Sequence, residues 1–125
     1  MPTIADLIDN LTGRILVPEI HIARSFSERL IGLMGKASIP AERGMWFEHC
    51  GSIQTTFMRF PIDVIFFDKN MTIQRIACEV APWRMAACSG ASHTLELNAG
   101  QASRIGLQPG MSTTLRLKTR YRFED

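Results

Sequence analysis

The chain has 125 residues, 46% hydrophobic and 21% charged, proportions of a soluble globular domain that exclude a disordered tail, a collagen-like repeat or a disulfide scaffold. Fourteen Lys and Arg against twelve Asp and Glu leave a net charge of +2, too small an excess to imply a nucleic-acid partner unless the cations cluster. The longest apolar run, Val64-Ile65-Phe66-Phe67, falls far short of the roughly 20 residues that cross a bilayer, so no membrane span is expected.

The first ten residues carry Asp6 and Asp9 but no Lys or Arg, which does not read as a signal peptide and places a full-length chain in the cytoplasm. Ile4, Leu7, Ile8 and Leu11 stand at helical spacing, so residues 1–13 are expected to form a short helix or an ordered tail ahead of one β-rich domain over 14–123. Ile15 to Ile22 reads as a strand that Pro18 confines to an edge or a bulge. Ser25 and Glu28 have capping-box spacing and open a short helix through Leu30, Leu33 and Met34 that Gly35 stops. Strands follow at Gly44–Phe47, Ser52–Met58 and Ile62–Phe67. Asp68-Lys69-Asn70 is turn chemistry, and Thr72–Val80 returns as the second arm of a hairpin with Ile76, Cys78 and Val80 alternating inward.

Pro82 to Gly90 reads as irregular, and His93–Asn98 as a strand. Asn98 and Gln101 repeat the capping-box spacing and open a second short helix that ends before Gly106. The last strand is expected from Ser112 to about Phe123. Many strands without long crossover helices predict a mainly β fold, an antiparallel sandwich or barrel, with two short helices at its rim. Three cysteines, Cys50, Cys78 and Cys88, with no Cys-x-x-Cys pair, read as small buried hydrophobes rather than a disulfide framework or a zinc ribbon.

Five blocks of this chain resemble the bacterial and archaeal domain-of-unknown-function 192 family: Gly32-Leu33-Met34-Gly35, Gly44-Met45, Thr55 through Phe66, Leu95 through Gly100, and Gly106 to Gly110. The likeness runs over about residues 14 to 118 and implies a compact β-rich sandwich of jelly-roll type with no established activity. One departure stands out. Where the branch with a Phe-x-Met-Arg-Phe-Pro-Ile-Asp core has histidine just before Thr55, this chain has Gln54, so no imidazole role carries over to that position.

Asp63 and Glu96 are the candidate catalytic residues. Asp63 enters a strand with two apolar faces, where a carboxylate must be paired or hydrogen-bonded. Either it caps the Arg59–Pro61 turn by accepting backbone amides, or it lies at the lip of a pocket. Glu96 shares a face with Thr94 and Asn98, the position of a solvated glutamate, and the resemblance recurs there. Convergence of the two acids on one cleft would make an acid–base pair. The candidate binding residues are Gln54, Thr55, Met58 and Arg59 in one segment, and Trp83 with Arg84 in the irregular stretch, a hot-spot composition.

Met34, Met45 and Met58 with Cys50 and His49 are soft donors for an ion such as cuprous copper, yet nothing recurs at metal spacing, and neither a metal nor a cofactor is expected. His21 alternates with Ile20 and Ile22 toward solvent, His93 starts a strand, and no nucleophile motif accompanies either. Arg116, Lys118, Arg120 and Arg122 form a basic stripe on the last strand, which reads as a guarded edge or as a docking stripe for an acidic partner. The reading favoured is a non-catalytic binding or accessory module for a small molecule or a protein, with oligomeric state open. Its rival is a small enzyme using Asp63 and Glu96 on a polar or sugar-like substrate.

Overall fold

The computed structural model describes residues 3–23, 44–54 and 60–118. The predicted hairpin is present: Ile62–Phe67 (β5) and Ile73–Val80 (β6) run antiparallel. The Asp68 carboxylate closes the turn between them, because its Oδ1 accepts the amides of Asn70 and Thr72 at 2.8 and 2.9 Å. Every residue of β5 is buried, as two apolar faces require of a central strand. His93–Asn98 (β8) pairs with its other edge.

Gly44–Glu48 (β3) lies beyond β8, followed by Ile15–Ala23 (β2), Thr3–Asp9 (β1) and Thr113–Lys118 (β9). The seven-stranded sheet therefore has the order β6-β5-β8-β3-β2-β1-β9. Ser52–Gln54 (β4) and Met85–Ala87 (β7) form a separate two-stranded ribbon. The chain is mainly β, but the expected all-antiparallel sandwich or barrel gives way to a mixed sheet that does not close. β2 and β3 run parallel, and residues 24–43 between them are long enough for the crossover that parallel neighbours need. The edges β6 and β9 meet only at one end, through a Thr72–Ser112 bridge and the Ile73 amide donating to Met111.

Where a short helix or an ordered tail was expected, Thr3–Asp9 is a strand. Helical spacing over so short a segment cannot compete with two neighbours: β1 pairs with β2 on one side and β9 on the other, and Ala5 and Leu7 are completely buried. The helix expected after Ser25 lies outside the described residues, as do positions 55–58 of the second predicted strand and everything after Lys118. Gln101–Ile105 (α1) is the second predicted helix, and it stops as expected: Gly106 turns left-handed at φ 89° and its amide reaches the Ala102 carbonyl. Its start differs. Gly100, not Asn98, is the N-cap, and no side chain of the cap residue bonds the first turn. The stretch from Pro82 to Gly90, read as irregular, contains β7.

Of the four register shifts that break the alternation, two are bulges built alike. Pro18 and Glu19 both stand opposite Asp6, with Glu19 at φ 53° and its amide donating to Asp6 Oδ1 at 3.2 Å. Cys78 and Glu79 both stand opposite Asp63, with Glu79 at φ 52° and its amide donating to Asp63 Oδ1 at 2.9 Å. In each case the extra residue's amide, turned out of the ladder, is taken by an aspartate of the neighbouring strand. Pro18 thus sits at a bulge, one of its two expected places. Cys78 is exposed instead of alternating inward, because the bulge flips its side of the strand, and all three cysteines are free.

The sheet carries two apolar clusters. The inner face gathers Leu7, Val17, Ile20, Ile22, Trp46, Ile65, Phe67, Leu95 and Leu97 beneath α1. The outer face gathers Ile62, Val64 and Phe66 beneath Ile53 and Ala86 of the ribbon and Phe60. Gly44 lets β3 approach β8 closely, since a Cβ there would lie 2.8 Å from methyls of both Leu95 and Leu97.

Candidate functional site

Asp63 is completely buried, and both its oxygens hold backbone amides: Oδ1 accepts from Glu79 and Oδ2 from Ala102, each at 2.9 Å. The amides are those of a bulge and of the first turn of α1; the Arg59–Pro61 turn, which Asp63 was expected to cap, lies partly outside the described residues. Asp63 thus caps, from a neighbouring strand, a helix whose N-cap Gly100 has no side chain to do so. Two amides on its two oxygens are what a buried carboxylate in an apolar strand demands.

Glu96 pairs across the sheet with Met45 on β3 and Val64 on β5, both members of the outer cluster. It is 5% exposed rather than solvated, and burial pushes its carboxyl up to about 8, so it is mostly protonated at neutral pH. Asp63 stands opposite Leu97, the residue after Glu96, and therefore projects to the inner face while Glu96 projects to the outer one. The sheet itself separates the two acids, and they share no cleft.

A hollow of about 510 Å³ opens at the end of the inner face where β3 stops and β8 starts. Its wall includes Trp46, His93, Glu48, Met71, Leu115 and Leu117. Trp46 is 1% exposed; its ring centroid lies 4.9 Å from that of Phe67 and 5.6 Å from that of His93, on which it stacks. Its indole Nε1–H is the one buried side-chain polar atom without a hydrogen-bond partner among the described residues. The His49 amide donates to His93 Nδ1 at 3.2 Å, which leaves the imidazole proton on Nε2. Burial, aided by the neighbouring His49, holds His93 below its ordinary value against the pull of Glu48, so the ring is neutral at pH 7. A second hollow, of about 450 Å³ near the other end of β2, includes Arg14, whose guanidinium already donates to the Ile105 carbonyl.

The register of the ribbon puts Gln54 opposite Met85, so Trp83 and Arg84, just before β7, come to the same end of the ribbon as Gln54. Trp83 is 59% exposed at φ 63° and Met85 is 64% exposed. Thr55, Met58 and Arg59 lie outside the described residues. The ribbon packs on the outer face and the Trp46 hollow lies on the inner one, so the two groups are separate. Of the basic stripe, Arg116 and Lys118 both reach the buried Asp6 carboxylate, at 3.2 and 3.4 Å. Burial alone would raise the Asp6 carboxyl, but the Glu19 amide, Arg116 and Lys118 outweigh it and hold it below its ordinary value. His21, on the outer face beside Met45, is half-buried rather than turned to solvent. Sequence reasoning missed Trp46 and His93 as site residues. The only signal was a tryptophan inside an apolar strand, whose N–H must find an acceptor.

Among the described residues no three His, Cys, Asp or Glu side chains group as metal ligands, and no helix is long and apolar enough to cross a membrane. No curated protein matches the chain significantly. Two crystal structures share the fold. A protein of unknown function from Novosphingobium aromaticivorans DSM 12444 is 24% identical with a TM-score of 0.72, over 91% of this chain and 84% of that one. A protein of Sinorhizobium meliloti 1021, put forward as a transcription regulator, is 24% identical with a TM-score of 0.77, over 92% of this chain and 94% of that one. Residues 8–115 match the model of DUF192, a family described as "Uncharacterized ACR", and the chain belongs to that family.

Proposed function

We propose that the protein is a non-catalytic binding module that takes a small molecule into the hollow beside Trp46. One observation carries the reading: Trp46, whose buried indole N–H has no hydrogen-bond partner, is one of the residues that line the hollow. Leaving such a donor unsatisfied costs about 1–3 kcal/mol, a cost that a ligand supplying an acceptor removes. The volume, about 510 Å³, lies within the range of roughly 300–1,000 Å³ common for small-molecule sites, and its wall sets the polar groups of Asn10, Glu48, Asn70, His93, Thr113 and Thr114 beside apolar side chains.

The placement of Asp63 and Glu96 on opposite faces favours this reading over acid–base catalysis by the pair. A nucleic-acid role, which the Sinorhizobium neighbour would suggest, draws no support from Arg116 and Lys118, since both are engaged by Asp6. A fragment screen by ¹⁵N–¹H correlation spectra tests the proposal. Binders are expected to perturb the signals of Trp46, His93 and Leu117 together and to raise the melting temperature, as anything that binds only the folded state must. Hits that cluster instead on Trp83 and Met85 would move the site to the ribbon and overturn it.

A further inference from the structure

We infer that the hollow between the start of β2 and the last turn of α1 is a second binding site, for an oxyanion (a carboxylate or a phosphate) carried on a short apolar body, with Arg14 and Arg104 holding the oxyanion. It lies toward the end of β2 away from Trp46, so it stands or falls separately from the binding reading above. The hollow has a cause in the sheet. Among the described residues β3 pairs with β2 only from Ile20 onward, which leaves Ile15 to Glu19 with a neighbouring strand, β1, on one side alone. The end of α1 stands at the open side, where Arg14 Nη2 donates to the Ile105 carbonyl at 3.2 Å.

Among the described residues the wall is Arg14, Ile15, Leu16, Pro18, Arg104 and Ile105, two positive charges and no negative one. Both arginines are exposed, and each is held by a neutral acceptor: Arg14 by the Ile105 carbonyl, Arg104 by Gln101 Oε1, which accepts from its Nε at 2.9 Å. A guanidinium has five N–H donors, so these bonds orient the groups and leave most donors over. Satisfying a last-turn carbonyl of α1 accounts for one Arg14 N–H, a task that any neutral donor could do. Neighbouring carboxylates are occupied or turned elsewhere. The Asp9 carboxylate, across the hairpin from Arg14, accepts the Leu11 amide and the Thr12 hydroxyl; Glu19, next to Pro18, is not part of the wall; both ion pairs among the described residues belong to Asp6. Two guanidiniums at one hollow repel each other, and a bound oxyanion turns that repulsion into attraction. The apolar body follows from the rest of the wall: Ile15 is 45% exposed and stands with Leu16, Pro18 and Ile105. A bare ion leaves Ile15 in water, and an uncharged molecule leaves the guanidiniums without a counter-charge. The volume of about 450 Å³ lies within the range of roughly 300–1,000 Å³ common for small-molecule sites.

Four probes separate charge from apolar body: hexanoate, hexyl phosphate, hexanol and acetate, titrated into the ¹⁵N-labelled full chain at slightly acidic pH, where arginine Nε–H signals are observed. Hexanoate and hexyl phosphate are expected to move the Arg14 and Arg104 Nε–H signals and the Ile15, Leu16 and Ile105 amides saturably. Each should bind at least about tenfold more tightly than hexanol or acetate. Their ratio names the preferred headgroup, and added salt should weaken both. Arg14→Gln and Arg104→Gln should each weaken hexanoate about tenfold while leaving hexanol unchanged. Glutamine at position 14 keeps an N–H for the Ile105 carbonyl; if that variant does not fold, Arg104→Gln, at an exposed position, decides alone. Hexanol or acetate binding as tightly as hexanoate overturns the inference, as does hexanoate binding that neither variant weakens. Probes that move Trp46 and His93 but not the two arginines overturn it too, while supporting the hollow beside Trp46.

Discussion

Glu96 shows how far a residue's surroundings can depart from its apparent place in a sequence. Alternation put it on a polar face with Thr94 and Asn98, yet β8 is central and its outer face lies in the cluster that the β4/β7 ribbon covers. The consequence is a stability that depends on pH in an unusual direction for a carboxyl. Its folded-state value of about 8 lies above the ordinary 4.5, so between those limits the folded chain holds a proton that the unfolded chain has lost. Stability from this group is complete below about pH 4.5 and falls as pH rises toward 8. Glu96→Gln keeps the shape and stays neutral throughout. The variant should lie within about 1 kcal/mol of the natural chain at pH 5 and exceed it by a few kcal/mol at pH 8. Urea titrations at the two pH values measure the crossover, and a difference that does not change with pH would place the carboxyl in water.

At the scale of elements, the readable parts were those whose cause is local. The β5/β6 hairpin was legible because Asp68 makes its turn from its own neighbours, and the stop of α1 because Gly106 supplies the left-handed residue. The N-terminal strand, the parallel β2/β3 pair and both bulges were not, since each depends on a partner distant in sequence. Asp63 was legible in kind, as a carboxylate that must be held by amides, but not which amides, because β6 and α1 bring them from 16 and 39 residues away. The Trp46 hollow was hidden for the same reason: no pattern of residue types reveals which buried donor lacks an acceptor. The Asp63 bridge between bulge and helix makes a definite prediction. Asp63→Asn puts an amide group where two N–H donors need acceptors, and should cost about 2–4 kcal/mol. Glu79→Pro, which removes one of those donors and cannot adopt φ 52°, should be destabilising too. Glu79→Gly, which keeps the amide and frees the backbone, should leave stability unchanged or raise it by up to about 1 kcal/mol. Chemical denaturation of the three variants checks the set, and an Asp63→Asn protein as stable as the natural one would remove Asp63 from the architecture.

For the whole molecule, the two clusters differ in what encloses them. The inner one is built from side chains of β1, β2, β3, β5, β6 and β8 of the seven-stranded sheet and of α1. The outer one is roofed in part by a ribbon of two three-residue strands, which contribute Ile53 and Ala86. Two such short strands carry few ladder hydrogen bonds and little buried apolar area, so the ribbon should open at lower free energy than the sheet. Glu96 ties that opening to proton concentration, because its two cross-strand neighbours, Met45 and Val64, belong to the cluster beneath the ribbon. Ionising the buried carboxyl favours any state that admits water to the outer face, and lifting the ribbon does so without unpairing β5 from β8. Native-state hydrogen exchange, corrected for intrinsic rates, should therefore show protection of the β4 and β7 amides falling between pH 6 and pH 9 while that of Ile65 and Leu95 changes much less. The same comparison in Glu96→Gln should lose the difference. If ribbon and central strands lost protection in parallel in the natural chain, the sheet and its roof would be one cooperative unit, and ionisation of Glu96 would be borne by global unfolding rather than by the ribbon.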